Sequence, residues 1–117
     1  MATLALFDPA RHLHTGIAGG RVLLDEVGDV AAFVEGIEAV PAGLVNAGVY
    51  VVEPPILDLI PRGRLVDFGH DVFPAMLARG LPIAGHVIEE AGYCLGLDTP
   101  ESFAAGQRLL TEGRLPQ

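Results

Sequence analysis

The run from Leu44 to Glu53, Leu-Val-Asn-Ala-Gly-Val-Tyr-Val-Val-Glu, constrains the fold more than any other part of the chain. It reads as one long strand whose two faces are both largely apolar. Such a strand belongs in a sheet covered by helices on each side. A chain of 117 residues is long enough for one such domain and no more. At that size folding hides roughly two thirds of the surface of the unfolded chain, so a real core is available. Half of the residues are apolar, which opposes disorder.

The flanking segments predict strands alternating with helices. Thr3 to Phe7 reads as a short apolar strand, followed by a Gly- and Pro-bearing loop from Asp8 to Gly20. Arg21 to Leu24 and Val30 to Glu35 are two extended runs, and the polar Asp25-Glu26-Val27-Gly28-Asp29 between them suits a hairpin loop. Gly36 to Gly43 reads as another loop. Pro54-Pro55 opens a short helical turn that Pro61 stops. Asp71 suits the N-cap of a helix ended by Arg79-Gly80, with Pro82 beyond. Pro82 to Val87 and Ala91 to Leu97 read as strands. Thr99-Pro100-Glu101 starts a last helix that reaches about Thr111 and stops at Gly113. The pattern predicts an α/β fold with a mixed sheet.

Charge and composition remove whole classes of function. The acids number 15 and the basic residues 7, a formal net charge of −8. That opposes nucleic acid or an anionic membrane as the main partner, because both need clustered cations. Every cation is Arg, so there is no Schiff-base lysine, no phosphate-loop lysine and no Ser–Lys dyad. The lone Cys94 rules out a disulfide framework or a multi-cysteine zinc site within the chain. No export signal is evident, and no apolar run reaches the roughly 18 residues of a membrane span. A cytoplasmic location is the expectation.

A few residues could carry chemistry, each with a plain alternative. Asn46, inside an apolar strand, needs hydrogen-bond partners; these are a ligand hydroxyl or the preceding loop. Gly48 in mid-strand allows close approach of a ligand or room for a neighbouring side chain. Glu35, at a strand end, suits sugar hydroxyls or bulk water. His12 and His14 would share a strand face, a spacing compatible with metal but lacking a third ligand nearby. His70 reads as a surface residue beside a capping Asp71, and His86 as a solvated neighbour of Glu89 and Glu90. Gly19-Gly20-Arg21 precedes a strand rather than a helix, so it reads as a turn and not a phosphate cradle. Cys94 reads as a small buried hydrophobe.

Several segments in order resemble the sugar-1-phosphate nucleotidylyltransferases, which join a nucleoside triphosphate to a sugar phosphate with release of pyrophosphate. Phe33-Val34-Glu35 resembles the family's Phe-Val-Glu-Lys-Pro hairpin end. Asn46-Ala47-Gly48-Val49-Tyr50-Val51 resembles its Asn-x-Gly-Ile-Tyr strand. Asp67-Phe68-Gly69-His70-Asp71-Val72-Phe73-Pro74 resembles its Phe-Glu-x-Asp-Val-Phe-Pro helix. Gly92-Tyr93 through Thr99-Pro100-Glu101-Ser102-Phe103 resembles its Gly-Tyr-Trp-x-Asp-Ile-Gly-Thr-Pro segment. The resemblance is greatest to enzymes of the mannose-, heptose- and glucose-1-phosphate type.

The resemblance implies an α/β, incomplete Rossmann-like nucleotidyltransferase domain with a mixed sheet flanked by helices. Residues 1–117 would form a single partial domain matching the family's C-terminal, sugar-binding half. It implies Glu35, Asn46 and Gly48 as sugar-binding residues. The family's Gly-rich nucleotide loop and first metal-binding Asp have no counterpart here. The Lys after the motif Glu is Gly36, the Glu of the Phe-Glu-x-Asp motif is Gly69, and the second metal Asp falls on Gly96. Asp98, two residues on, is the candidate substitute for holding Mg²⁺, the family's cofactor. These losses imply a truncated or degenerate relative, inactive as an isolated chain; a non-catalytic sugar-phosphate-binding or oligomerisation module is the alternative. The expected partners are a sugar or sugar 1-phosphate, and either further copies of the chain or a complementing nucleotide-binding chain.

Overall fold

The structure is a computed structural model, and it describes residues 1–16, 20–34 and 43–115. Among these, a five-stranded sheet runs in the order β4-β3-β5-β1-β6. The strands are β1 (Ala2–Phe7), β3 (Arg21–Leu24), β4 (Val30–Val34), β5 (Leu44–Val52) and β6 (Ile83–Val87). β1 pairs parallel with β6 and antiparallel with β5; β3 pairs antiparallel with β4 and with β5. The sheet is therefore mixed, as the alternating pattern predicts. β2 (Leu13–His14) and β7 (Tyr93–Cys94) form a separate two-residue parallel ladder.

The core lies on one face of the large sheet. Alternation puts Ala2, Leu4 and Leu6 of β1 on that face, with Val22, Val30 and Ile83 from neighbouring strands. Helix α1 (Phe73–Ala78) and the turns before it cover them, supplying Ile56, Val72, Phe73 and Met76. A 3-10 turn, Pro54–Leu59, follows β5 directly, and a π-type turn, Phe68–Val72, leads into α1.

The opposite face is only partly covered. Phe7 and Val45, opposite one another, are buried, but Val49 and Val51 are 62% and 74% exposed. The expectation that both faces of β5 are buried thus fails over its second half. The C-terminal helix α2 (Pro100–Thr111) packs elsewhere, with Gly106 set against Leu97 and Thr15. A Cβ at Gly106 would come within 2.7 Å of Leu97 Cδ2.

Local chemistry fixes the helix ends. Thr99 caps α2 through a reciprocal box: its Oγ1 accepts from the Ser102 N–H at 3.1 Å, and Ser102 Oγ accepts from the Thr99 N–H at 3.0 Å. Both helices stop in the same way. The Leu81 N–H donates to the Met76 carbonyl and the Gly80 N–H to Leu77; Arg114 and Gly113 repeat the pattern onto Leu109 and Leu110. The glycines at these ends hold φ of +68° and +65°, which a side chain would strain.

Two sequence expectations need correction. Asp71 is not an N-cap: the π-type turn starts before it, and Asp67 caps that turn by accepting from the His70 N–H at 2.8 Å. The Asp71 carboxylate instead reaches back to the Asp67 N–H, at 2.8 Å. The strand expected over Ala91 to Leu97 shrinks to Tyr93–Cys94. The Gly92 N–H closes a turn onto Glu89, and the Gly96 carbonyl is taken by the Thr15 hydroxyl at 2.7 Å. The hairpin at Asp25–Asp29 and the extents of β3, β5 and α2 lie within a residue or so of their expected bounds.

Replacing Thr99 by Ala should lower unfolding free energy by about 1 kcal/mol, since it removes the Oγ1 acceptor for the Ser102 N–H and leaves only the Ser102 half of the box, which runs to a backbone N–H that alanine keeps. Val51→Thr, on the open face, should stay within about 0.5 kcal/mol of the parent. Urea melts of the two variants measure both, and the ranking Thr99→Ala below Val51→Thr is the expected outcome.

Candidate functional site

Asn46 sits on the core face of β5, opposite Leu6 of β1, and Tyr50 on the same face opposite Leu4. Between those pairings β1 contributes one residue, Ala5, while β5 contributes three, Ala47, Gly48 and Val49. This bulge bends β5 and depends on Gly48, whose φ is +75°. Nothing lies within 4 Å of where a Gly48 Cβ would stand, so backbone conformation, not crowding, demands the glycine.

The Asn46 amide spans the bulge. Its Oδ1 accepts from the Gly48 N–H at 2.9 Å, and its Nδ2 donates to the Tyr50 hydroxyl oxygen at 2.9 Å. The loop contact weighed for Asn46 is thus made within its own strand. One amide N–H of Asn46 and the hydroxyl proton of Tyr50 remain beyond these two bonds. The Tyr50 ring is locked from below. It meets Phe73 edge-on at 4.9 Å and Phe68 at 5.7 Å, and Phe73 in turn stacks on Phe33 at 6.0 Å.

The π-type turn closes on the same amide. A Cβ at Gly69 would stand 3.8 Å from Asn46 Nδ2 and 3.4 Å from Asp67 Oδ1. Two motifs some twenty residues apart in sequence therefore meet at Asn46, and the position that lacks its carboxylate, Gly69, is the one facing the amide. Sequence reasoning passed over Tyr50 and Asp67 as members of this cluster. The signal for Tyr50 was its spacing: residues four apart on a strand share a face.

The other candidates lie apart from this arrangement or outside it. Glu35 falls outside the described residues. Asp98 is exposed in a bend before α2, not on a strand face shared with Gly96. Among the described residues, no group of three or more His, Cys, Asp or Glu gathers to hold a metal ion, so a metal at Asp98 would take its remaining ligands from water or substrate oxygens. His12 is buried, with Nδ1 accepting from the Asp8 N–H at 2.9 Å; His14 Nδ1 accepts from the Gly16 N–H at 3.0 Å. Each imidazole thus closes a turn of the β1–β3 connection. Glu90 pairs with Arg11 at 3.3 Å. Burial pushes the Cys94 thiol up, which disfavours the nucleophilic thiolate. Arg21 donates to the Gly43 carbonyl at 3.0 Å as β3 begins. No helix among the described residues is long and apolar enough to cross a membrane.

Comparison with known proteins agrees with the motifs that converge here. No family model matches the chain. It is 43% identical over 100 residues to a mannose-1-phosphate guanylyltransferase of Mycobacterium tuberculosis; the match covers 85% of this chain and 27% of that protein. It is 37% identical over 65 residues to a UTP–glucose-1-phosphate uridylyltransferase of Synechocystis sp., covering 54% of this chain and 17% of that relative. The chain thus spans little more than a quarter of the longer-matching relative. Over the residues that align, it belongs with the sugar-1-phosphate nucleotidylyltransferases.

Proposed function

We propose that this chain is the sugar-binding part of a sugar-1-phosphate nucleotidylyltransferase. Other polypeptide, either a complementing chain or another part of a longer one, would supply the triphosphate site. The observation that carries the reading is the Asn46 amide. It is held at both ends by Gly48 and Tyr50, keeps one N–H, and is faced by a residue without a side chain. A fixed donor with one N–H to spare suits a sugar hydroxyl, and the Tyr50 hydroxyl proton offers a second donor. Glu35 would add the acceptor, and the backbone beside Gly48 would admit the ring closely. Cytoplasmic nucleotide-sugar synthesis is the setting this chemistry fits.

The chain by itself lacks what phosphoryl transfer asks for. That reaction runs on positioning and on neutralising charge at the phosphates. One charge-assisted bond to a phosphate contributes about 1.5–3 kcal/mol, and Gly36 stands where the family has its Lys. The same replacements, with Gly69 for Glu, favour a second reading: a non-catalytic module that binds a sugar phosphate without activating it.

Binding should be weak and insensitive to the phosphate. Chemical-shift titration with mannose and with mannose 1-phosphate should give similar millimolar affinities, with shifts centred on Asn46 and Tyr50. Asn46→Ala should abolish them, and Tyr50→Phe should weaken binding about fivefold, the worth of one neutral hydrogen bond. Unchanged spectra near Asn46 with both ligands would remove the sugar site.

Catalysis should be absent from the isolated chain. A pyrophosphate-release assay over four triphosphates and several sugar phosphates should stay at background, with or without Mg²⁺. Turnover that vanishes in Asp98→Ala would show instead that Asp98 holds a working metal and that the chain is an enzyme alone.

A further inference from the structure

Two exposed turns of opposite charge project from this chain. The β3–β4 turn, Asp25-Glu26-Val27-Gly28-Asp29, sets Val27, 82% exposed, among three carboxylates. Its backbone is fixed. Asp25 Oδ1 accepts from the N–H groups of Val27 and Asp29 at 2.9 and 3.0 Å, and the Gly28 carbonyl accepts from the Gly85 N–H at 2.9 Å. Val27 is thus an apolar side chain presented on a rigid, acidic tip, with little ordering left to do on binding.

The second turn, Arg62-Gly63-Arg64-Leu65, holds two of the seven cations, and its Leu65 is 99% exposed. Neither arginine pairs with an acid among the described residues. Beside it opens a cleft of about 320 Å³. Leu59, Pro61, Val66, Val72 and Ala75 give it an apolar lining, and Arg64, His70 and Asp71 stand at it as well. The Asp71 carboxylate there is tied to the Asp67 N–H.

We propose that the acidic β3–β4 tip of one copy of this chain docks in the Arg64 cleft of a second copy. Val27 enters the apolar lining, and Glu26 and Asp29 meet Arg62 and Arg64. A chain's own tip does not fill its own cleft, because Val27 stands 82% exposed. A formal net charge of −8 makes copies repel in most registers, and this register sets carboxylates against the two arginines. Every copy carries both surfaces. Made twice about a two-fold axis, the contact closes a dimer; made once per copy, it propagates. The contact area is small, so the association is weak.

Sedimentation velocity on the full chain, from micromolar to millimolar, tests this. Self-association should appear in the upper range and weaken as salt rises. Glu26→Arg and Arg64→Glu should each raise the dissociation constant at least about tenfold, and their combination should restore it to within about threefold. Val27→Asp should leave a monomer. All four variants change exposed side chains, and unchanged far-ultraviolet dichroism and melting temperatures confirm their folding. A monomer throughout, or an assembly that neither salt nor these substitutions move, overturns the proposal; the second result would place the contact on the open sheet face of Val49 and Val51. None of these residues hydrogen-bonds Asn46 or Tyr50, so the outcome is separable from that of the sugar titration.

Discussion

The arrangement at the site depends on one side-chain amide. Asn46 lies where a nine-residue strand must bulge, and a bulge leaves backbone groups out of the ladder. Its carbonyl takes the loose N–H of Gly48, and its NH₂ group fixes the Tyr50 hydroxyl. Tyr50 in turn seats Phe68 and Phe73, which belong to the turn and helix covering the sheet. The amide therefore couples strand geometry to the aromatic cluster beneath α1. The rotamer of Asn46 is thereby determined before anything binds, which is what the sugar contact proposed above requires.

Much of this was legible in the sequence, and the failures have physical causes. β5 and α2 were readable to within a residue because their signals are local: a long apolar run, and a Thr-Pro start with a Gly stop. The cap of α1 was misplaced because two aspartates four apart compete for one role. The Asp67 carboxylate accepts from the His70 N–H and the Asp71 carboxylate from the Asp67 N–H, and only the folded turn decides which acid faces which N–H. The apolar Val49 and Val51 promised a covering layer. Sequence gives the tendency to bury but not the position of the helix that would do it, and α2 sits instead against Leu97 and Thr15. The meeting of Asn46 with Gly69 is a tertiary fact with no local signature, although Asn46 and Gly69 each stood out alone.

The open face and the missing cations point the same way. The sheet is covered on the side of α1, while Val49 and Val51 on the other side are largely exposed. The arginines with described partners are tied locally, Arg11 to Glu90, Arg21 to the Gly43 carbonyl and Arg114 to Glu112. None of these bonds reaches the Asn46 cluster. On the reading proposed above, the hydroxyl-binding groups stand apart from these three tied arginines, and two tasks that a nucleotidylyltransferase must combine are separated.

That separation has an energetic logic. Hydroxyl recognition needs rigid, neutral donors, whose bonds are worth about 0.5–1.5 kcal/mol each and which depend little on what surrounds them at a distance. Phosphate recognition needs converging positive charge, which decays with distance and would be opposed here by fifteen acids. On that reading the first can persist in a stretch of formal charge −8, while the second needs cations brought to the site from elsewhere. Gly69 sets the backbone of the π-type turn against the Asn46 amide, at 3.8 Å from Nδ2 to the place of its absent Cβ, while contributing no charge of its own.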